Sequence, residues 1–143
     1  MRLKQFLFKP SASFAFLPVR IGLGLVMMGH GTQKLFAWFD GSGLVATASF
    51  FENQLDLAPG LVFAILAGGT QFIAGFLVLL GLLTRFAALS LSIIMLVAIV
   101  KVHPNAFFAQ NGGMEFPLML LLACLSLVIG GGGRFAMDRR CAA

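Results

Sequence analysis

Four long apolar runs, separated by short polar punctuation, dominate the chain: about residues 14–36, 61–83, 86–102 and 116–129. A membrane-spanning helix needs roughly 20 apolar residues, and the runs cluster around that length. The fourth is the shortest, so it either extends into the glycines after it or thins the membrane locally. The punctuation carries turn signals: Asp40 to Gly43 (DGSG), Pro59-Gly60, Thr84-Arg85, the polar stretch 103–115, and the glycines Gly130 to Gly133. The Thr84-Arg85 link is short enough to make the second and third helices antiparallel neighbours. Between the first two runs, Ala46 to Leu57 reads as a short amphipathic helix. Its Phe50 and Phe51 face the bundle, and Glu52, Asn53 and Asp56 face water. The expected fold is an all-α membrane protein, one domain over 1–143. It is an antiparallel four-transmembrane-helix bundle with a long first outer loop.

Composition strengthens the membrane reading. The chain is 59% hydrophobic and 10% charged, with mean hydropathy +0.99, whereas soluble domains carry about 25% charged residues. The net charge of +5 raises nucleic acid as a partner. The basic residues form no patch for it and cluster at segment ends instead, where they set topology. Arg2, Lys4, Lys9, Arg85, Arg134, Arg139 and Arg140 all fall on one side of such a bundle. The opposite loops carry Asp40, Glu52, Asp56 and Glu115. The positive-inside rule then puts both termini in the cytoplasm. Residues 1–13 read as a basic interfacial arm. The apolar run after them is longer than a signal peptide's core and has no small-residue cleavage site, so it reads as a retained helix.

The stretch Arg20 to Trp38, most of the first apolar run and its exit, carries Arg20, His30 and Lys34. Ionisable groups are costly in a bilayer unless they face protein or water. At helical spacing Arg20, Gly24, Met27, Gly31 and Lys34 share one face, with His30 beside it. Leu23, Leu25, Val26 and Phe36 make the opposite, lipid-facing side. Small residues Gly68, Gly69 and Gly75 in the second run permit close helix approach, and Gln71 near its midpoint needs a polar partner. Each polar residue also has a plain structural role open to it. Arg20, Arg85, Lys34 and Lys101 can snorkel, Gln71 can bind helices together, and Glu115 can complement a helix dipole.

No metal motif, nucleophile triad or phosphate loop is present. Cys124 and Cys141 sit at different depths and read as free thiols, and the methionines read as apolar filler rather than copper ligands.

Residues spread from about Arg20 to Asp138 resemble the DoxX family of small four-helix bacterial membrane proteins. The resemblance is carried by Arg20-Ile-Gly22, His30-Gly31-x-x-Lys34-Leu35-Phe36 and Gly81-Leu-Leu-Thr84-Arg85. Further matches are Met95 with Ala98, His103, Phe107-Phe108, Asn111-Gly112-Gly113-x-Glu115-x-Pro117, and the glycine run before Arg134 and Asp138. One position departs: Gln71 stands where the family often has a glutamate, and an amide cannot relay protons as a carboxylate can. The resemblance implies the bacterial inner membrane and a link to redox chemistry. The family's namesake is the small subunit of a thiosulfate:quinone oxidoreductase, and other members partner soluble redox enzymes.

The expected site therefore lies in the outer half of the bundle under the Trp38–Pro59 loop. Its candidate ligand-binding residues are His30, Lys34, Gln71, His103, Asn111 and Glu115. Arg20, Arg85, Gly24, Gly31, Gly68 and Gly75 are structural candidates. A quinone is the expected cofactor, with His30 and Lys34 donating to one carbonyl and Gln71 or Asn111 to the other. The bilayer, a redox protein and a second copy are the expected partners. The alternative is a non-redox lipid-binding or anchoring protein; a pump or channel is a weaker third reading.

Overall fold

The computed structural model describes residues 13–142. The basic arm expected around Arg2, Lys4 and Lys9 lies outside the described residues. Among those described, the chain is all helical. The helices are α1 (Phe16–Phe36), α2 (Gly43–Gln54), α3 (Gly60–Leu80), α4 (Thr84–Val97), α5 (Glu115–Gly130) and α6 (Asp138–Ala142), and α4 widens into a π-helical turn, Ala98–Val102.

Two of these are long and apolar enough to cross a membrane, Gly60–Leu80 and Thr84–Val102. Only 39% and 28% of their most apolar windows are buried inside the protein. A soluble core helix would hide far more of itself. Ile65, Ile73, Leu89, Ile93 and Leu122 point outward instead, as expected when lipid is the solvent.

The boundary between α3 and α4 differs from the expected one. The sequence pattern ran the second helix to Leu83 and placed the turn at Thr84-Arg85. The helix stops at Leu80 because Gly81 adopts a left-handed backbone, φ +72°. Leu82 N–H donates to Leu77 O (2.9 Å) and Gly81 N–H to Val78 O (3.1 Å), the pairing of a Schellman cap. α4 then begins at Thr84, two residues before the expected Phe86. The amphipathic segment also starts earlier, at Gly43 rather than Ala46, and ends at Gln54.

Helix α1 crosses α3 along a seam of glycines. A methyl on Gly24 would lie 2.8 Å from Gly75 O, and one on Gly31 2.8 Å from Gly68 O. Without a hydrophobic drive between helices in lipid, such close backbone approach supplies the packing attraction. One position on α1 differs from expectation. Leu23, expected toward lipid, is 3% exposed and packs with Met27, Val78, Leu91 and Leu127 in the core. Its helical angle is close to that of Met27 one turn on, and three helices close over that side.

The two described ends of the chain meet each other, and the C-terminal one meets the α3–α4 turn. Arg134 N–H donates to Ser13 O (3.1 Å) and Asp138 N–H to Gly81 O (2.9 Å). The opposite end of the bundle carries α2 and the 103–114 loop.

Candidate functional site

At that opposite end lies a cavity of about 480 Å³. Five elements build its walls. α1 contributes His30 and Lys34 from its last two turns, and α3 contributes Phe63, Leu66, Ala67 and Gln71. α4 and its π-turn supply Ile93, Met95, Val97, Ala98 and Val102, and α5 supplies Phe116, Pro117 and Leu120. Phe50, Phe51 and Leu55 roof it from α2 and the residue after it. The lining is apolar apart from His30, Lys34, Gln71 and His103. Small ligand sites have this character: about 300–1,000 Å³, mostly apolar, with a few convergent polar groups.

Part of the cavity wall is exposed on the side of the bundle. Leu66, Ile93 and Val97 line it and are themselves 56%, 56% and 42% exposed. They lie on the outward sides of α3 and α4, so part of the cavity wall belongs to the bundle's apolar outer surface.

Gln71 is the most telling wall residue. It is 3% exposed, and its Oε1 is buried with no hydrogen-bond partner. An unsatisfied buried acceptor costs about 1–3 kcal/mol. The other buried hydroxyls nearby settle within their own helices: Thr32 Oγ1 donates to Gly29 O (2.8 Å) and Ser92 Oγ to Ala88 O (2.8 Å). Gln71 has no such outlet.

The two histidines are oriented by their Nδ1 atoms. His30 Nδ1 lies 3.1 Å from Gln33 Oε1. Gln33 Nε2 donates to Phe39 O at 3.3 Å, which turns its oxygen toward the imidazole. His103 Nδ1 lies 2.7 Å from Gly112 O. A carbonyl oxygen only accepts, so each ring donates through Nδ1–H and keeps Nε2 for another partner. The His30 ring leans on Phe116, with centroids 6.1 Å apart.

The remaining candidates lie elsewhere. Asn111 is exposed in a short 3₁₀ turn, Ala109–Asn111. Glu115 braces that turn: its Oε1 accepts from Ala109 N–H (2.8 Å) and its own N–H donates to Phe107 O (2.8 Å). Neither lines the cavity. Both sat near the right end of the bundle, but a sequence shows the end and not the direction. The roofing phenylalanines and Pro117 were visible only as packing or as family pattern.

Arg20 does not line the cavity and is buried rather than extended to the surface. It is 2% exposed, with Nε donating to Val78 O (3.0 Å), Nη2 to Leu79 O (2.9 Å) and Nη1 to Gly132 O (2.7 Å). It caps the end of α3 and ties the glycine run to it. Asp138 does the complementary task for α4, accepting from Leu83 N–H (2.6 Å) and Thr84 N–H (3.0 Å). That latch was a residue the sequence offered only as part of a family pattern. Arg85 is half-buried at the same turn. Among the described residues no cluster of His, Cys, Asp or Glu is suited to a metal.

The DoxX family profile matches residues 15–104, from the start of α1 to the loop beyond the π-turn. The chain belongs to the DoxX family. An uncharacterized membrane protein of Mycobacterium tuberculosis is 37% identical over 133 residues, covering 85% of this chain and 78% of its own. Two uncharacterized proteins of Haemophilus influenzae are each 33% identical. One covers 68% of this chain and 79% of its own length, the other 62% and 59%. No solved structure matches. The matched DoxX segment contains four polar cavity residues, His30, Lys34, Gln71 and His103, but ends before α5 closes the wall.

Proposed function

We propose that this DoxX protein is a small multi-pass subunit of a redox system in the bacterial inner membrane. Its cavity takes a quinone that enters sideways from the bilayer. Four helices cross the membrane, both termini face the cytoplasm and the cavity lies in the outer half. The distribution of basic residues supports that orientation. α1 and the 16-residue α5 cross together with the two more apolar helices, because each packs along them.

The observation that carries the ligand reading is Gln71 Oε1, a buried acceptor without a partner in the wall of an apolar cavity. A quinone head brings polar atoms at the edge of a flat ring, and its tail is as apolar as the exposed part of the wall. Lys34 provides a donor for a ring oxygen. The head group is held with its ring among Phe51, Met95 and Phe116. The chain supplies binding and orientation, and a partner protein supplies the second redox centre.

The test is to purify the protein from native membranes and analyse its organic extract by mass spectrometry. Quinone recovered near one per protein, and lost in Gln71→Leu, supports the reading. An extract containing phospholipid but no quinone overturns it in favour of a lipid-binding or anchoring protein.

A further inference from the structure

The polar groups around the cavity are not neutral toward the redox state of its occupant. We propose that the cavity prefers the hydroxyl-bearing, reduced form of its ring compound, a hydroquinone, over the oxidised form. This rests on the quinone reading above.

The inference comes from counting donors and acceptors. Gln71 Oε1 is an acceptor with no donor. His30 and His103 have both committed their Nδ1–H groups, to Gln33 Oε1 and Gly112 O. In the neutral ring, each then presents Nε2 as an acceptor. Lys34 is the sole cationic donor in the lining. Beside the donors of Lys34 and the Gln71 amide, the lining residues therefore hold up to three acceptors that lack a proton.

A quinone carbonyl accepts only. It pairs with Lys34 or with the Gln71 amide N–H, and leaves the acceptors, Gln71 Oε1 and the two imidazole Nε2 atoms, without a donor. A hydroquinone hydroxyl donates and accepts at once. Its proton reaches Gln71 Oε1 or an imidazole Nε2, while its oxygen still accepts from Lys34. On this proposal His30 acts as an acceptor rather than as the expected donor to a carbonyl, because its Nδ1–H is engaged by Gln33 Oε1. A site built to pair with a hydroxyl discriminates strongly against the analogue lacking it, because its own polar atoms are left unpaired. One such pairing corresponds to about tenfold in affinity.

The experiment compares three forms of one short-chain ring compound on the full-length protein in nanodiscs under anaerobic conditions. These are the hydroquinone, the benzoquinone and the hydroquinone dimethyl ether, which has the same ring but no O–H. The expected result is hydroquinone binding at least tenfold tighter than either other form, with the preference falling to under threefold in Gln71→Leu. The wild-type comparison needs no variant and stands even if Gln71→Leu does not fold. Equal or tighter binding of the benzoquinone overturns this inference and leaves the quinone cavity intact. Failure of all three forms to bind overturns the quinone reading itself.

Discussion

The guanidinium of Arg20 rests against the α-carbon of Gly81: a methyl group there would lie 2.6 Å from Arg20 Cζ. The glycine is doubly required, because its φ of +72° also ends α3. Gly81→Ala adds left-handed strain of about 1 kcal/mol to a collision with a side chain held by three carbonyls. A thermal unfolding assay in detergent is expected to show a loss of at least about 2 kcal/mol. Arg20→Lys cannot reproduce the fork of donors to Val78, Leu79 and Gly132. It is expected to be destabilising by about 3 kcal/mol, despite its retained charge.

Asp138 carries its own prediction. Its two carboxylate oxygens each accept one N–H, from Leu83 and Thr84. Asp138→Asn keeps one acceptor and turns an NH₂ group toward the other donor. The expected cost is about 1–2 kcal/mol, comparable to losing a good helix cap. Detergent stability of Asp138→Asn against Asp138→Glu checks it, with the glutamate variant retaining both acceptors at a different reach.

Two glycines two residues apart on α1, and so on opposite sides of it, should behave oppositely. Gly31 faces α3, where a methyl would meet Phe72 N at 2.7 Å, whereas Gly29 has nothing within 4 Å. Gly29→Ala is expected to hold or raise stability by up to about 1 kcal/mol, since alanine is the better helix former. Gly31→Ala is expected to be destabilising by about 1–3 kcal/mol through forced separation of the helices. Paired melting curves separate the two.

Orientation can be read from the native thiols. Cys141 is exposed near the C-terminus and Cys124 is buried. A membrane-impermeant maleimide added to spheroplasts is expected to leave the protein unlabelled. After permeabilisation it should add one label per chain, at Cys141. Labelling of Cys141 in sealed spheroplasts would place the C-terminus outside.

Much of this was legible because helix period and lipid exposure are strong signals. Gly24, Gly31, Gly68 and Gly75 announce close packing by being small in apolar helices, and His30, Lys34, Gln71 and His103 announce one end of the bundle by topology alone. What the chain conceals is direction within a few ångströms. Glu115 and Asn111 share that end with Gln71, yet one braces a loop and the other faces outward. Leu23 looks like any lipid-facing leucine until three helices close over it. Arg20 looks like a snorkelling arginine because the carbonyls it caps come from Val78, Leu79 and Gly132, far along the chain. The orientation of the His30 ring is set by Gln33, three residues on, whose Oε1 accepts from Nδ1–H.

The most direct test of the cavity is photolabelling with an azido-benzoquinone in native membranes, followed by peptide mapping. The account predicts adducts on the segments holding Phe50–Leu55, Ile93–Val102 and Phe116–Leu120, suppressed by excess unlabelled quinone or hydroquinone. Labelling confined to outward positions such as Leu122 and Ile129, or unaffected by competitor, would contradict it.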